Sequence, residues 1–189
     1  MNQESINPKS LAVCIFGNQG QSFDQQHHTD QLREKFKDFA NINLFYCVET
    51  DDLYFNMFKT SFLKRQYEIE HSRDFDLVLT VDVNKFALIQ FVPISKCTNE
   101  ETLYFLRGGF YTHWSSTVIW PEIFCASSMI SDFAAKFGQV YKILPKGRKG
   151  ACLEEDFYYY LKSLKIRTVA MNKAIPSLFN IKQHGGQSL

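Results

Sequence analysis

The stretch Asp74-Phe75-Asp76-Leu77-Val78-Leu79-Thr80-Val81-Asp82-Val83-Asn84 holds the residue types best suited to chemistry. An apolar run ends there in Asp-x-Asn. Side chains two apart on extended backbone point the same way. Asp82 and Asn84 are therefore expected to offer two oxygens on one side of the chain. Such oxygens suit a hard cation, Mg2+ or Mn2+, that itself bridges phosphate oxygens of a substrate. Asp and Asn also favour turns, so a plain turn after a strand is the alternative reading. A second candidate is Gly17-Asn18-Gln19-Gly20-Gln21, which follows another apolar run. Its glycines would let backbone approach a ligand closely, although a plain strand-ending turn has the same composition. It is not a G-x-G-x-x-G, and no G-x-x-x-x-G-K-[ST] occurs, so dinucleotide and P-loop readings lack their motif. A third is the acidic triplet Glu154-Glu155-Asp156 at the start of a predicted helix. Acids there complement the helix dipole, or one of them works as a general base. Histidines 27, 28, 71, 113 and 184 form no set with metal spacing, and no Ser/His/Asp order matches a hydrolase motif.

These residues need elements to position them. Leu11 to Phe16 is a continuous apolar run ended by Gly17, the pattern of a strand buried on both faces. The spacing of Leu32, Phe36 and Phe39 predicts a helix over 29–39. Asn43 to Val48 reads as a second strand. Leu53 to His71 reads as a helix with Leu53, Met57, Phe58, Phe62 and Tyr67 inward. Phe75 to Val81 reads as a third strand. This β-α-β-α-β order predicts an α/β fold, a Rossmann-like, mixed, mostly parallel sheet flanked by helices. Further on, 86–92, 102–107, 123–125, 139–144 and 166–170 read as strands. Residues 127–137, capped by Ser127 or Ser128, and 153–164 read as helices. Such folds bind ligands beyond the carboxyl ends of their strands. The loops at 17–21, 49–52 and 82–85 are therefore where chemistry is expected.

Strand one ending in Gly, a long helix before Phe75-Asp76-Leu77-Val78, and an acidic strand end together resemble nucleotide-sugar glycosyltransferases of the GT-A type. Trp120-Pro121-Glu122-Ile123-Phe124-Cys125-Ala126-Ser127-Ser128-Met129-Ile130-Ser131 resembles that family's acid, strand, small-residue and helix segment. Glu154 to Leu161 resembles its acidic helix start. The resemblance covers most of 11–175. It implies a GT-A-like fold and transfer of a sugar from a nucleotide-sugar donor to a carbohydrate or glycan acceptor. It implies that Asp82 and Asn84, in an Asp-x-Asn variant of the family's Asp-x-Asp, hold Mn2+ or Mg2+. Asn84 offers an oxygen but no charge, so metal affinity should fall. It places the nucleotide on Gly17, Asn18 and Gln19, sets Arg65 beside the donor, and favours Glu155 or Asp156 as the base for an acceptor hydroxyl. Lys64 and Arg65 have a bland reading too, as a solvated helix face. The basic loop with Lys146, Arg148 and Lys149 would close over the leaving diphosphate as lids do, unless it is only a solvated surface loop. Two other functions stay open. One is a non-catalytic carbohydrate- or partner-binding protein on the same fold, which Asn84 favours. The other is a nucleotidyltransferase.

Composition bounds these readings. The 189 residues suggest one domain over 11–175, with flexible ends at 1–10 and 176–189. Phe outnumbers Leu, 18 to 16, and aromatics reach 15%, which excludes disorder for most of the chain. A net charge of +1 argues against nucleic acid as a default partner. The five cysteines contain no C-x-x-C, and the odd count reads as free thiols in a reducing compartment. No apolar run is long enough for a membrane span, and MNQESINPKS lacks a signal pattern. A cytoplasmic protein is expected. The acceptor half is brief, so a homo-oligomer in which a second subunit helps hold the acceptor is a further expectation.

Overall fold

The computed structural model describes residues 10–21, 24–106, 108–109, 119, 121–143, 153–171 and 175–176. The first half alternates β1 (Ser10–Phe16), α1 (Gln25–Lys35), β2 (Asn41–Cys47), α2 (Leu53–Glu70) and β3 (Leu77–Asp82). The second half adds β4 (Thr102–Phe105), β5 (Gly108–Gly109), β6 (Ile123–Ala126), α3 (Ser128–Ala135), α4 (Phe137–Ile143), α5 (Leu153–Ser163), β7 (Arg167–Ala170) and β8 (Ile175–Pro176). Six strands form one sheet in the order β2-β1-β3-β6-β4-β7. β1 pairs in parallel with β2 and β3, β4 pairs in parallel with β7, and only β6 runs against its neighbours. The fold is thus the expected mixed, mostly parallel sheet flanked by helices.

Both faces of the sheet are covered. Leu11, Val13 and Ile15 pack with Leu32, Phe36 and Phe39 on the α1 side. Phe16 packs with Met57, Phe124, Phe137, Phe157 and Leu161 on the other. Alternate side chains of β1 therefore enter two cores, which is why its sequence is apolar without interruption. Among the described residues, no helix is long and apolar enough to cross a membrane.

Several expectations fail locally. The 86–92 segment is no strand but a 3-10 helix over Val83–Phe91. Phe86, Ile89 and Val92 recur every third residue and are all buried, which fits the three-residue turn of that helix. Residues 139–144 belong to a helix instead of a strand. Phe137, Val140 and Tyr141 share one side at helical spacing, and Phe137 and Tyr141 lie against Tyr54. Helix α1 starts earlier than predicted because Asp24 caps it, accepting from the His27 N–H at 3.0 Å. Phe36 and Phe39 stay buried in the turn that follows. Ser127 sits at the N-cap position of α3, but its hydroxyl donates to the Glu100 carbonyl instead. In α2 the expected inward Phe62 is 54% exposed, whereas Lys64 is 0% exposed. The helix turns Asn56, Met57, Thr60, Ser61, Lys64 and Glu68 inward.

Gly138 carries the α2–α4 contact. A Cβ there would collide with the backbone carbonyl of Tyr54. Backbone cannot rotate aside as a side chain does. Gly138→Ala is therefore expected to lower stability by about 1–3 kcal/mol, as overpacking does. Thermal or urea denaturation measures it, and an unchanged midpoint would contradict this packing.

Candidate functional site

The carboxyl ends of β1, β2 and β3 lie side by side, because Phe16 pairs with both Cys47 and Asp82. The loop after β1 is held by its neighbours. The Gly17 N–H donates to the Cys47 carbonyl at 3.2 Å and the Gln19 N–H to the Thr50 carbonyl at 3.0 Å. Buried Asn56 of α2 donates through Nδ2 to the carbonyls of Gly17 and Thr50, both at 2.7 Å. One amide thus ties the first two strand-end loops together. The Asn18 N–H donates to Gln21 Oε1 at 2.7 Å. Asn18 Oδ1 is buried with no hydrogen-bond partner. Gly20 has φ +81°, the left-handed region that favours glycine. Gly17 is required for a different reason. A Cβ there would meet Gln21 Oε1, Val83 Cγ1 and Val48 Cγ1, with Val83 at 2.8 Å. The loop therefore presses directly onto the residue after Asp82.

Asp82 ends β3 and is 3% exposed. Its Oδ1 accepts from the Asn84 N–H at 2.9 Å, which caps the 3-10 helix. Burial pushes its carboxyl above the usual range, against the Asn84 hydrogen bonds and the charge of Lys85. Asp82 and Asn84 do come together, but by a different geometry from the expected one. Extended backbone stops at Asp82, so a tight turn, not strand alternation, brings Asn84 to the carboxylate.

The edge holds a further carboxylate, Glu122, to which the sequence pattern assigns no role. The Asp82 N–H donates to the Glu122 carbonyl at 2.7 Å, and Tyr54 Oη donates to Glu122 Oε1 at 3.1 Å. Because β6 runs against β3, its start meets the end of β3. Only the antiparallel pairing reveals this. An acid just before an apolar strand is the faint signal the sequence carries.

Glu155 and Asp156 are half-buried in the first turn of α5. Helix α5 leads directly into β7, which runs parallel to β4. It therefore descends from the same carboxyl edge, and its first turn lies on the side of Asp82. Arg65 does not come to this edge. Helix α2 starts at the carboxyl edge and runs away from it. Arg65, near its far end, donates to Asp74 Oδ1 at 2.7 Å and Glu68 Oε2 at 3.2 Å. Asp74 precedes β3, so Arg65 sits at the opposite end of the sheet from Asp82. Lys64 is no solvated cation either. It is enclosed with Glu68 Oε2 at 2.9 Å and Asp132 Oδ1 at 3.0 Å. Lys146 and Arg148 lie outside the described residues.

For a divalent cation the donor set is thin. Among the described residues no group of three His, Cys, Asp or Glu side chains gathers to hold a metal. Asp82 and Asn84 could supply two oxygens. That suits an ion such as Mg2+, which takes one or two protein oxygens and fills its shell with substrate phosphates and water. It does not suit a resident structural metal.

No family model and no curated protein matches this chain. Among solved structures, the crystal structure of a glycosyltransferase involved in the glycosylation of the major capsid of PBCV-1 is similar to it. The TM-score is 0.49 and the sequence identity 12%, with 85% of this chain and 81% of that chain covered.

Proposed function

We propose that this chain is a glycosyltransferase of the GT-A type, moving a sugar from a nucleotide-sugar donor to an acceptor hydroxyl. The observation that carries it is Asp82, a buried carboxylate at a parallel-strand end, against which the glycine loop of β1 is pressed. Sheets of this kind bind ligands at that edge. The Gly17–Gln21 loop supplies the nucleotide cradle, with the unpartnered Asn18 Oδ1 as an acceptor for a base or ribose donor. Asp82 and Asn84 would hold Mn2+ or Mg2+ at this edge. Bound there, the ion neutralises charge on the leaving group.

The reaction breaks the bond from the anomeric carbon to the diphosphate oxygen and forms one to the acceptor oxygen. The acceptor proton passes to a carboxylate, the role assigned to Glu155 or Asp156 in the first turn of α5. The nucleoside diphosphate leaves. Arg65 has no part in this scheme.

Donor hydrolysis across a panel of nucleotide sugars, with and without Mn2+, tests the reading. Turnover that rises with Mn2+ is expected for at least one donor. No binding and no turnover across the panel would sink it. A non-catalytic relative is favoured by one observation, the use of Asp82 as a helix cap. Under that reading nucleotide sugars still raise the melting temperature by mass action, without turnover.

A further inference from the structure

The two edges of the six-stranded sheet are built differently. On one edge β7 is four residues long and carries Arg167. Short length and charge keep an edge from pairing with other chains. On the other edge β2 is seven residues long, Asn-Ile-Asn-Leu-Phe-Tyr-Cys, with no charge, proline or glycine. Among the described residues no strand lies beyond it. The Gly17 N–H donates to the Cys47 carbonyl, so the backbone polar groups of Cys47 point to β1. Alternation along the strand points those of Ile42 and Leu44 to the open side. Their side chains are half-buried against the α1-side core. Beside them lies a groove of about 550 Å³ between β2 and α1, with Arg33 in its wall.

Charge flanks this strand unevenly. Arg33 and Lys37 outweigh Asp38 near its start, and Glu49, Asp51 and Asp52 outweigh Lys59 near its end. Arg33, Lys37 and Asp51 are exposed, and none is in an ion pair among the described residues. An edge with a basic start and an acidic end complements itself when two copies run antiparallel. Run parallel, the two copies would set like charges together.

We propose that β2 is the interface of a homodimer, pairing antiparallel with β2 of a second copy about a twofold axis at Leu44. Leu44 is the middle residue of the strand. Its N–H and carbonyl face the open side, so it sits opposite itself as a hydrogen-bonded pair. The same register sets Lys37 of each copy at the Asp51 end of the other. A twofold contact of this kind closes, so it stops at the dimer. The carboxyl edges of the two sheets face opposite ways, and each stays open to ligand.

Sedimentation at tens of micromolar protein should show a dimer, with the Ile42 and Leu44 amides protected from hydrogen exchange. Leu44→Pro removes an N–H that β1 does not use. It should give a monomer with native circular dichroism. Lys37→Glu should weaken the dimer roughly tenfold at low salt, and adding Asp51→Lys should restore it. These exposed positions decide the matter if Leu44→Pro does not fold. Leu44→Cys should form a covalent dimer under mild oxidation, because opposite Cα atoms in such a pair stand about 5.5 Å apart. Ile42→Cys, out of register with its own copy, should not. A monomer at every concentration, a dimer indifferent to Lys37→Glu, or equal cross-linking through Ile42→Cys would overturn the interface. Protected Ile42 and Leu44 amides in a monomer would assign the edge to a segment of the same chain, which overturns it as well.

Discussion

Asp82→Asn is expected to raise the melting temperature and to abolish metal-assisted transfer. Both effects follow from the same burial. The carboxyl of Asp82 is pushed above its ordinary range chiefly because it is desolvated. A group with a raised folded value contributes stability that is fully present below its unfolded value. That contribution is lost as pH rises through the folded value. At neutral pH the ionised side chain therefore costs stability. Asn removes the charge yet still accepts from the Asn84 N–H, so the cap survives. Each kcal/mol relieved raises the midpoint by about 2–4 °C for a chain of this size. The gap over the native protein should widen as pH rises from the unfolded value to the raised folded one, and then stay level. Activity moves the other way. Charge stabilisation at a leaving diphosphate is worth several kcal/mol, so turnover should fall by about 100-fold or more. Scanning melts from pH 4 to 8 beside donor turnover in Mn2+ checks both. A lower melting temperature, or unchanged turnover, would mean that Asp82 is only a cap. Asp82→Ala separates the cap, since it also removes the acceptor and should cost about 1 kcal/mol relative to Asn.

That opposition between stability and chemistry also explains what could be read before the fold was known. The first three strands were legible because both faces of β1 and β3 are buried, which leaves an unbroken apolar signature. Asp82 stood out as a charge ending such a run, and the turn that Asp and Asn favour is what forms there. The 3-10 helix after it was not legible. Phe86, Leu88, Ile89 and Val92 are all buried, and six apolar residues within seven read as strand as readily as helix. The tertiary fold decided, because a capped turn at Asp82 had already bent the chain out of the sheet. Glu122 stayed hidden for a topological reason, since a single sequence does not reveal that β6 runs against β3. Arg65, which the family resemblance set beside the donor and the bland reading set on a solvated face, pairs instead with Glu68 and Asp74. The helix is long enough to carry it from one edge of the sheet to the other.

Lys64 follows the same logic, and its removal should have the largest effect on stability. Lys64→Met is expected to cost about 3–5 kcal/mol, the penalty for breaking one partner out of a buried ion cluster. The midpoint should fall by roughly 10 °C. Lys64 reaches Glu68 and Asp132, and Ser128 Oγ lies 2.5 Å from its Nζ. Glu68 also accepts from the Phe75 N–H at 3.0 Å, which joins α2 to the approach of β3. Burial alone would raise the Glu68 carboxyl, but Ser128, the Phe75 N–H and Lys64 hold it below its usual value. A depressed carboxylate contributes stability that is present above its unfolded value and lost as pH falls through the folded one. Native protein should therefore weaken on acidification. In Lys64→Met burial prevails, the carboxyl rises, and protonating it becomes favourable. The deficit against native protein should then shrink between pH 7 and pH 4. Lys64→Met combined with Glu68→Gln should recover part of the loss at neutral pH. Arg65→Ala is the control. Its side chain is 48% exposed, and such surface pairs are worth at most about 1 kcal/mol. If Arg65 faced a donor, Arg65→Ala would raise the KM for nucleotide sugar. With its guanidinium on Asp74 at the far edge, KM should not move, and both cations then serve the scaffold that holds Asp82 in place.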